Sequence, residues 1–308
     1  MAHIEEKPFL FRLKREWPAY LYLLPMLVVL LLLTIYPISL TFYYSLTFNG
    51  PLPAPGIPPN TYVGLRNYNI IGTSDLPLTE TLIMNSFFWA TASIVIFIAV
   101  GLGLAAILNQ PLRGKTVYRT LLLFPWAMPA FITILTWSNM LNFNFGIINA
   151  ILGLFSIPPV QWTTGGFWAV WGGLLLMNTW LSFPYYMVVF LAAMQSIPKD
   201  LYESAEIDGA SILYRFTHIT VPYIGSTVGF VALMGWLFTF NNFYPIYLVT
   251  AGGPGNLTSI FVVRVFQEAF ERSHYSLAAT YTVIDFIIML FVAIPAIKYT
   301  RLSEGWFK

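Results

Sequence analysis

The chain has 308 residues, of which 57% are hydrophobic and only 9% are charged. Soluble domains carry about 25% charged residues, so this composition indicates a polytopic membrane protein. The net charge of +2 is too small to indicate a nucleic-acid partner. The absence of cysteine excludes disulfides, thiol nucleophiles and cysteine metal sites.

Six apolar stretches are long enough to cross a bilayer, which takes about 20 apolar residues in a helix. In chain order they are residues 19–46, 85–108, 118–141, 167–194, 219–244 and 278–299. Continuously apolar runs indicate helices, because barrel strands would alternate over about ten residues. We expect the first run to be a span and not a cleaved signal, because it is too long and no small-residue cleavage site follows it. The predicted fold is all-α, with six transmembrane helices.

The basic residues predict the orientation of these spans. Three lie on one side: Arg66, Arg264 and Arg272. The other twelve lie on the opposite side: Lys7, Arg12, Lys14, Arg15, Arg113, Lys115, Arg119, Lys199, Arg215, Lys298, Arg301 and Lys308. The positive-inside rule therefore places both termini in the cytoplasm.

The chain divides into three predicted regions. Residues 1–46 form a cytoplasmic N-terminal segment and the first helix, and residues 47–84 form an exoplasmic loop rich in Pro and Gly. Residues 85–308 form a five-helix core that includes a cytoplasmic loop at 195–218. No phosphate-binding Gly-x-x-x-x-Gly-Lys-Ser/Thr motif is present, so we expect no ATP binding by this chain and no enzyme activity of its own.

A polar segment at 203–222 interrupts the apolar runs and faces the predicted cytoplasm. Pro198 and Asp200 favour a helix start, and Glu203 favours the positive end of that helix. Gly209 permits a sharp turn, and a second short helix follows over about 211–218. Such a polar helix pair buries little by itself, so we expect it to be stabilised by a groove on another protein.

Within this segment Glu203, Gly209 and Pro222 have the spacing of a known signature. The run resembles the conserved cytoplasmic motif in permease subunits of binding-protein-dependent ABC importers, in its carbohydrate form, with Ser204 and Val221 as the departures. The resemblance implies a coupling helix docked in a cleft of the ATP-binding subunit, with Glu203 paired to a basic residue there. An ordinary amphipathic loop is the alternative. The implied coupling residues are Glu203, Ser204, Ala205, Asp208, Gly209 and Ala210.

The same resemblance implies partners and a location. It implies a second homologous permease subunit, two ATP-binding subunits and an extracytoplasmic sugar-binding protein, in a bacterial or archaeal inner membrane. ATP and Mg²⁺ would bind to the partner subunits, so no cofactor is expected in this chain. His3, His218 and His274 are scattered along the sequence, and we do not predict a metal site.

Three runs within the spans mix aromatic residues with hydroxyls and amides, as a path for sugars requires. An amide in a bilayer is costly unless paired, so it marks either a binding site or a link between helices. The runs resemble those that line the sugar site in maltose-type permease subunits. Carried over by position, the candidate contacts are Trp126, Ala130, Asn178, Leu181, Ser182, Gly235, Thr239 and Asn242. Of these, Asn178, Leu181 and Asn242 keep the residue type found in that family.

Asp285 is the acidic residue placed deepest in a predicted span. An intramembrane carboxylate is by default functional, as a proton relay, a substrate contact or a polar brace. We favour a brace to the region of Thr280 to Thr282 or of Asn241. The Gly-Pro turn at 250–256 resembles a loop of sugar permeases, and both a plain turn and a contact with the binding protein remain open.

Two other functions remain open. One is an ABC permease for a non-sugar solute such as glycerol-phosphate, against which stands the lack of Lys or Arg deep in the spans. The other is a proton-coupled secondary transporter that uses Asp285, against which stands the lack of repeats with paired charges.

Overall fold

The structure is a computed structural model that describes residues 9–48 and 58–303. Side chains are described from Leu21 onward, with Trp17 in addition, up to Lys298. The Pro- and Gly-rich stretch at 49–57 and the terminal residues Lys7 and Lys308 lie outside the described residues.

Helices account for nearly all of the described chain, which confirms the all-α prediction. A short antiparallel pair joins β1 (Thr47–Phe48) to β2 (Thr61–Tyr62). The helices are α1 (Phe9–Leu30), α2 (Tyr36–Ser45), α3 (Arg66–Thr73), α4 (Leu76–Asn109), α5 (Lys115–Ala127), α6 (Ala130–Met140), α7 (Ile147–Leu154), α8 (Phe167–Gln195), α9 (Lys199–Ile207), α10 (Ile212–Arg215), α11 (Val221–Tyr223), α12 (Gly225–Phe240), α13 (Phe243–Thr250), α14 (Phe261–Phe266) and α15 (Tyr275–Ser303).

Four described helices are long and apolar enough to cross a membrane: Leu21–Ser45, α4, α8 and Tyr275–Lys298. The number rises to six if each of two bent helix pairs is one span. The pair α5 and α6 bends by 90° and is not the single straight span predicted. Met128 is extended there (φ −82°, ψ 144°), because the residue before a proline is displaced from helical geometry.

The fifth predicted span also differs from a single straight helix. The segment Ile212–Tyr223 meets the helical segment Gly225–Thr250 at a bend of 67°. Ile224 lies at the junction with φ −90° and ψ 5°, outside ideal helical geometry. The apolar helical segment after the bend therefore begins at Gly225 and extends to Thr250, beyond the predicted end at residue 244.

The segment between the first two spans contains more helix than the predicted loop. It includes α3, and α4 already begins at Leu76. The buried Asn67 side chain donates hydrogen bonds to the carbonyl oxygens of Ser45 and Thr47, each at 2.9 Å. These bonds fasten α3 to the end of α2, because a buried amide needs such partners.

The core lies where α4 packs against α8. Trp89 and Trp171 are fully buried in this interface, with ring centroids 5.9 Å apart. At Gly101 the two backbones touch: an added Cβ would lie 2.6 Å from Tyr186 Cβ and 3.1 Å from Met187 N. A small residue permits this approach, as is common between membrane helices.

We predict that Gly101→Ala destabilises the protein by about 1–3 kcal/mol, because the methyl group overpacks the α4–α8 interface. Gly103→Ala is the matched control, since a Cβ there meets nothing within 4 Å. Thermal unfolding of the purified protein in detergent measures the difference. Equal midpoints for the two variants would contradict this account of the interface.

Candidate functional site

A cavity of about 620 Å³ lies between α8, α12 and the start of α13. Its wall contains six of the eight predicted substrate residues, which come from three separate runs of the sequence. These six are Trp126, Leu181, Ser182, Gly235, Thr239 and Asn242. The fold therefore brings the end of α5, the middle of α8 and the second half of α12 together at one site.

Several polar groups of this cavity have no partner within the protein. The hydroxyls of Ser182 and Thr239 and the amide of Asn242 make no side-chain hydrogen bond to any residue that the structure describes. Because these groups line the cavity, water or a bound molecule there can pair with them. Among the described residues, no Lys, Arg, Asp or Glu lines the cavity. The arrangement suits a neutral, hydroxyl-rich molecule.

The other two predicted residues, Ala130 and Asn178, are not part of the cavity wall. Ala130 is exposed at the start of α6. Asn178 is only 1% exposed, and its Nδ2 donates to Ser93 Oγ on α4 at 3.3 Å. Asn178 therefore links two helices here, which is the alternative stated for an intramembrane amide.

Tyr185 and Tyr186 are among the cavity residues that sequence reasoning missed. They follow Ser182 by three and four positions, the spacing that places side chains on the same face of a helix. That spacing was the available signal. The Trp126 and Tyr185 rings lie 6.4 Å apart, and exposed Phe238 and Tyr244 complete an aromatic rim.

The cytoplasmic segment folds into the two predicted short helices, α9 and α10. Gly209 has the left-handed φ of +76° after α9, which glycine adopts without strain. Ala210 N donates to Ala205 O at 2.9 Å and Gly209 N to Glu206 O at 3.0 Å, a Schellman ending. Ser211 then caps α10 by accepting from Tyr214 N at 3.2 Å.

The outer surface of this segment has few partners within the chain. Glu203 is exposed and makes no ion pair with any described residue. Ile207 and Leu213 are 87% and 72% exposed. Glu206 pairs with Arg215 at 3.0 Å, which holds α9 and α10 together. Exposed apolar side chains beside a free carboxylate suit a docking surface.

Asp285 lies on α15 near the side chain of Asn241, a cavity residue that directly follows α12. The Oδ1 atom of Asp285 is buried and has no hydrogen-bond partner among the described residues. The neighbouring hydroxyls do not contact it. Thr280 donates to Ser276 O at 2.7 Å and Thr282 to Ala278 O at 2.9 Å. Of the partners expected for Asp285, Asn241 therefore lies beside its carboxylate, whereas the Thr280 and Thr282 hydroxyls bond to backbone carbonyls of their own helix.

A buried charge cluster in the predicted exoplasmic segment was not foreseen. Glu268 is 2% exposed, and its carboxylate contacts Arg264 at 2.7 Å, His274 at 2.9 Å and Arg272. Arg264 also lies 5.9 Å from the Tyr281 ring centre. A buried carboxylate requires such compensation, so the cluster fixes α14 against α15. The i, i+4 spacing of residues 264, 268 and 272 was the signal.

The Gly-Pro turn is held against α4. Asn85 Nδ2 donates to the carbonyl oxygens of Asn256 at 3.1 Å and Ser259 at 2.9 Å. Within the turn, the Thr250 and Thr258 hydroxyls are 2.7 Å apart. These bonds explain a well-formed turn, and a contact with a binding protein stays a prediction.

Residues 98–305 match the model of the family described as binding-protein-dependent transport system inner membrane component. The chain belongs to this family. The permease is therefore the inner-membrane component of an ABC importer and not its ATPase. The match covers the cavity and the cytoplasmic segment.

Named relatives agree with the family. The permease is 34% identical to the maltodextrin transport system permease protein MdxF of Bacillus subtilis, over 91% of this chain and 68% of the relative. It is 32% identical to the trehalose/maltose transport system permease protein MalF of Thermococcus litoralis, over 92% of this chain and 93% of the relative.

A solved structure shares the fold. A chain of a bacterial ABC transporter involved in the import of the acidic polysaccharide alginate superposes with a TM-score of 0.79 at 20% identity. The match covers 96% of the permease and 99% of that chain. Another structure of an alginate transporter, with a TM-score of 0.77, is in complex with a periplasmic protein that holds an alginate pentasaccharide.

We predict that Glu203→Lys reduces assembly with the ATP-binding subunits and lowers ATP-dependent uptake at least about tenfold, because the resemblance implies a basic residue in the docking cleft, which a lysine would repel. Glu80→Lys is the control. Glu80 is exposed near the start of α4, the end of that helix that is predicted to be exoplasmic. Co-purification of the subunits measures assembly. Wild-type assembly and uptake by Glu203→Lys would contradict the docking role.

Proposed function

We propose that the permease imports a neutral sugar, most favourably a maltose-like di- or oligosaccharide. The observation that carries the proposal is the set of neutral polar groups in the cavity that lack a partner in the described chain. Sugar hydroxyls donate and accept hydrogen bonds, so they match the Ser182 and Thr239 hydroxyls and the Asn242 amide. The names of the relatives, maltodextrin and trehalose/maltose permeases, support the same class of solute.

The shape and charge of the cavity support a sugar over an anion. Its volume of about 620 Å³ falls in the usual range of ligand sites. The exposed rings of Trp126 and Tyr244 offer flat apolar surfaces to the faces of a sugar ring. A phosphorylated solute such as glycerol-phosphate would call for Arg or Lys, and neither lines the cavity.

The proposed assembly completes the path. A second homologous permease faces the exposed side of the cavity, and an extracytoplasmic binding protein delivers the sugar. Two ATP-binding subunits hold ATP and Mg²⁺, and one of them receives α9 in its cleft. Both termini of the chain then lie in the cytoplasm. Movement of α9 and α10 would pass to α12 and α13 through the bend at Ile224 and open the cavity alternately to each side.

We predict that Asn242→Ala lowers sugar uptake about 5- to 150-fold, because a lost hydrogen bond to the solute costs about 1–3 kcal/mol. Assembly should be unchanged, since the amide has no described partner to lose. Asn178→Ala is the matched comparison, and its expected defect is stability, because it removes the bond to Ser93. Uptake of maltotriose per assembled complex separates the two. Normal uptake by Asn242→Ala would exclude the amide from the path.

Asp285 separates the proposal from proton-coupled transport. We predict that Asp285→Asn keeps substantial ATP-dependent uptake, because an amide of nearly the same size keeps an acceptor and adds donors beside Asn241, whereas a proton relay needs a titrating carboxylate. Asp285→Leu should reduce stability, because it removes the polar group next to the Asn241 amide. Proteoliposomes with and without a pH gradient provide the measurement. Loss of uptake in a well-assembled Asp285→Asn complex, or dependence of the wild type on the gradient, favours the proton-coupled alternative.

A further inference from the structure

The Tyr186 hydroxyl is a fixed polar group on the cavity wall. The side chain is 4% exposed, lines the cavity, and forms no hydrogen bond with any residue in the described ranges. Its ring packs against Phe97 and Tyr185, each with centroids 5.3 Å away. The backbone contact with Gly101 closes the space behind it. The position of the hydroxyl is therefore set by packing alone.

Gly235 on α12 provides the space for this hydroxyl. A Cβ added at Gly235 would overlap the Tyr186 hydroxyl oxygen and would lie 3.1 Å from Tyr186 Cζ. It would also lie 2.8 Å from Ile94 Cδ1, the movable end of an aliphatic side chain. A side chain at 235 and a phenol oxygen at 186 thus compete for one position. In this chain the phenol oxygen occupies it.

We propose that the Tyr186 hydroxyl hydrogen-bonds a hydroxyl of the transported sugar, and that Gly235 lacks a side chain in order to admit it. The inference rests on the proposed function and adds a specificity-determining residue to the site. The phenol oxygen lines the cavity and has no described partner within the chain, so a sugar hydroxyl in the cavity can pair with it. Sites that hydrogen-bond a solute hydroxyl discriminate strongly against analogues that lack it.

The first test is Tyr186→Phe, which removes one oxygen and keeps the ring. The complete transporter is placed in proteoliposomes with its binding protein and ATP, and uptake of labelled maltotriose is measured per assembled complex. We expect uptake to fall about 3- to 10-fold while the yield of assembled complex and the melting temperature remain close to wild type. Tyr68→Phe is the matched control, because its hydroxyl donates to Ser45 Oγ at 2.8 Å, away from the cavity. Uptake by that control should be normal.

The second test moves the hydroxyl from one helix to the other. In the double variant Gly235→Ser/Tyr186→Phe, the serine places a hydroxyl near the vacated position. We expect the double variant to transport maltotriose within about threefold of wild type. Gly235→Ser alone should transport less than both the wild type and the double variant, because the serine overlaps the phenol oxygen. A purely structural role for Tyr186 does not predict this rescue.

The outcomes separate the two proposals. Wild-type uptake by Tyr186→Phe, or a double variant no better than Tyr186→Phe, overturns the inference and leaves the proposed function in place. A wild-type transporter that takes up no maltodextrin overturns the proposed function itself. Reduced uptake by Tyr186→Phe together with rescue by the double variant supports both.

Discussion

The direct backbone contact between α4 and α8 at Gly101 is the constraint on which the cavity depends. Because no side chain separates the helices there, α8 lies close enough for the Tyr186 ring to be enclosed by α4 residues such as Phe97. The enclosed ring then points its hydroxyl at Gly235 on α12. Two glycines therefore set the position of one phenol, and three helices meet around it. Close packing of the helices thus fixes the position of a polar group that has no hydrogen-bond partner in the described chain.

The predicted exoplasmic and cytoplasmic segments differ in how far their polar groups are paired within the chain. In the predicted exoplasmic segment, polar groups are paired internally: Glu268 contacts two arginines and a histidine, and Asn85 ties the Gly-Pro turn to α4. In the predicted cytoplasmic segment, α9 and α10 are held by caps, by one exposed ion pair and by the Tyr202 contact to Thr220 at 2.8 Å. Short polar helices gain little stability alone, so α9 and α10 are the part of the chain whose position a bound partner can change.

Asn241 and Asn242 are two adjacent amides that line the cavity. The chain leaves helical geometry between α12 and α13, and the two adjacent amides then take different roles. Both line the cavity, but Asn241 also lies near Asp285 on α15, while Asn242 has no described partner. A movement of α12 relative to α15 would therefore act directly on a group that lines the site. Irregular backbone at membrane depth is typical of positions that line a cavity.

The sequence determined the features that depend on local chemistry. Hydrocarbon demands long apolar helices, so the spans were predictable, and a left-handed turn demands a residue such as Gly209, so the α9–α10 turn was predictable. Only the tertiary structure decided which polar residues face the cavity. Asn178 and Asn242 have the same side chain in similar apolar surroundings, yet helix rotation and packing turn one toward Ser93 and the other toward the cavity. The meeting of Tyr186 with Gly235 likewise depends on how α8 and α12 pack, which neither residue encodes alone.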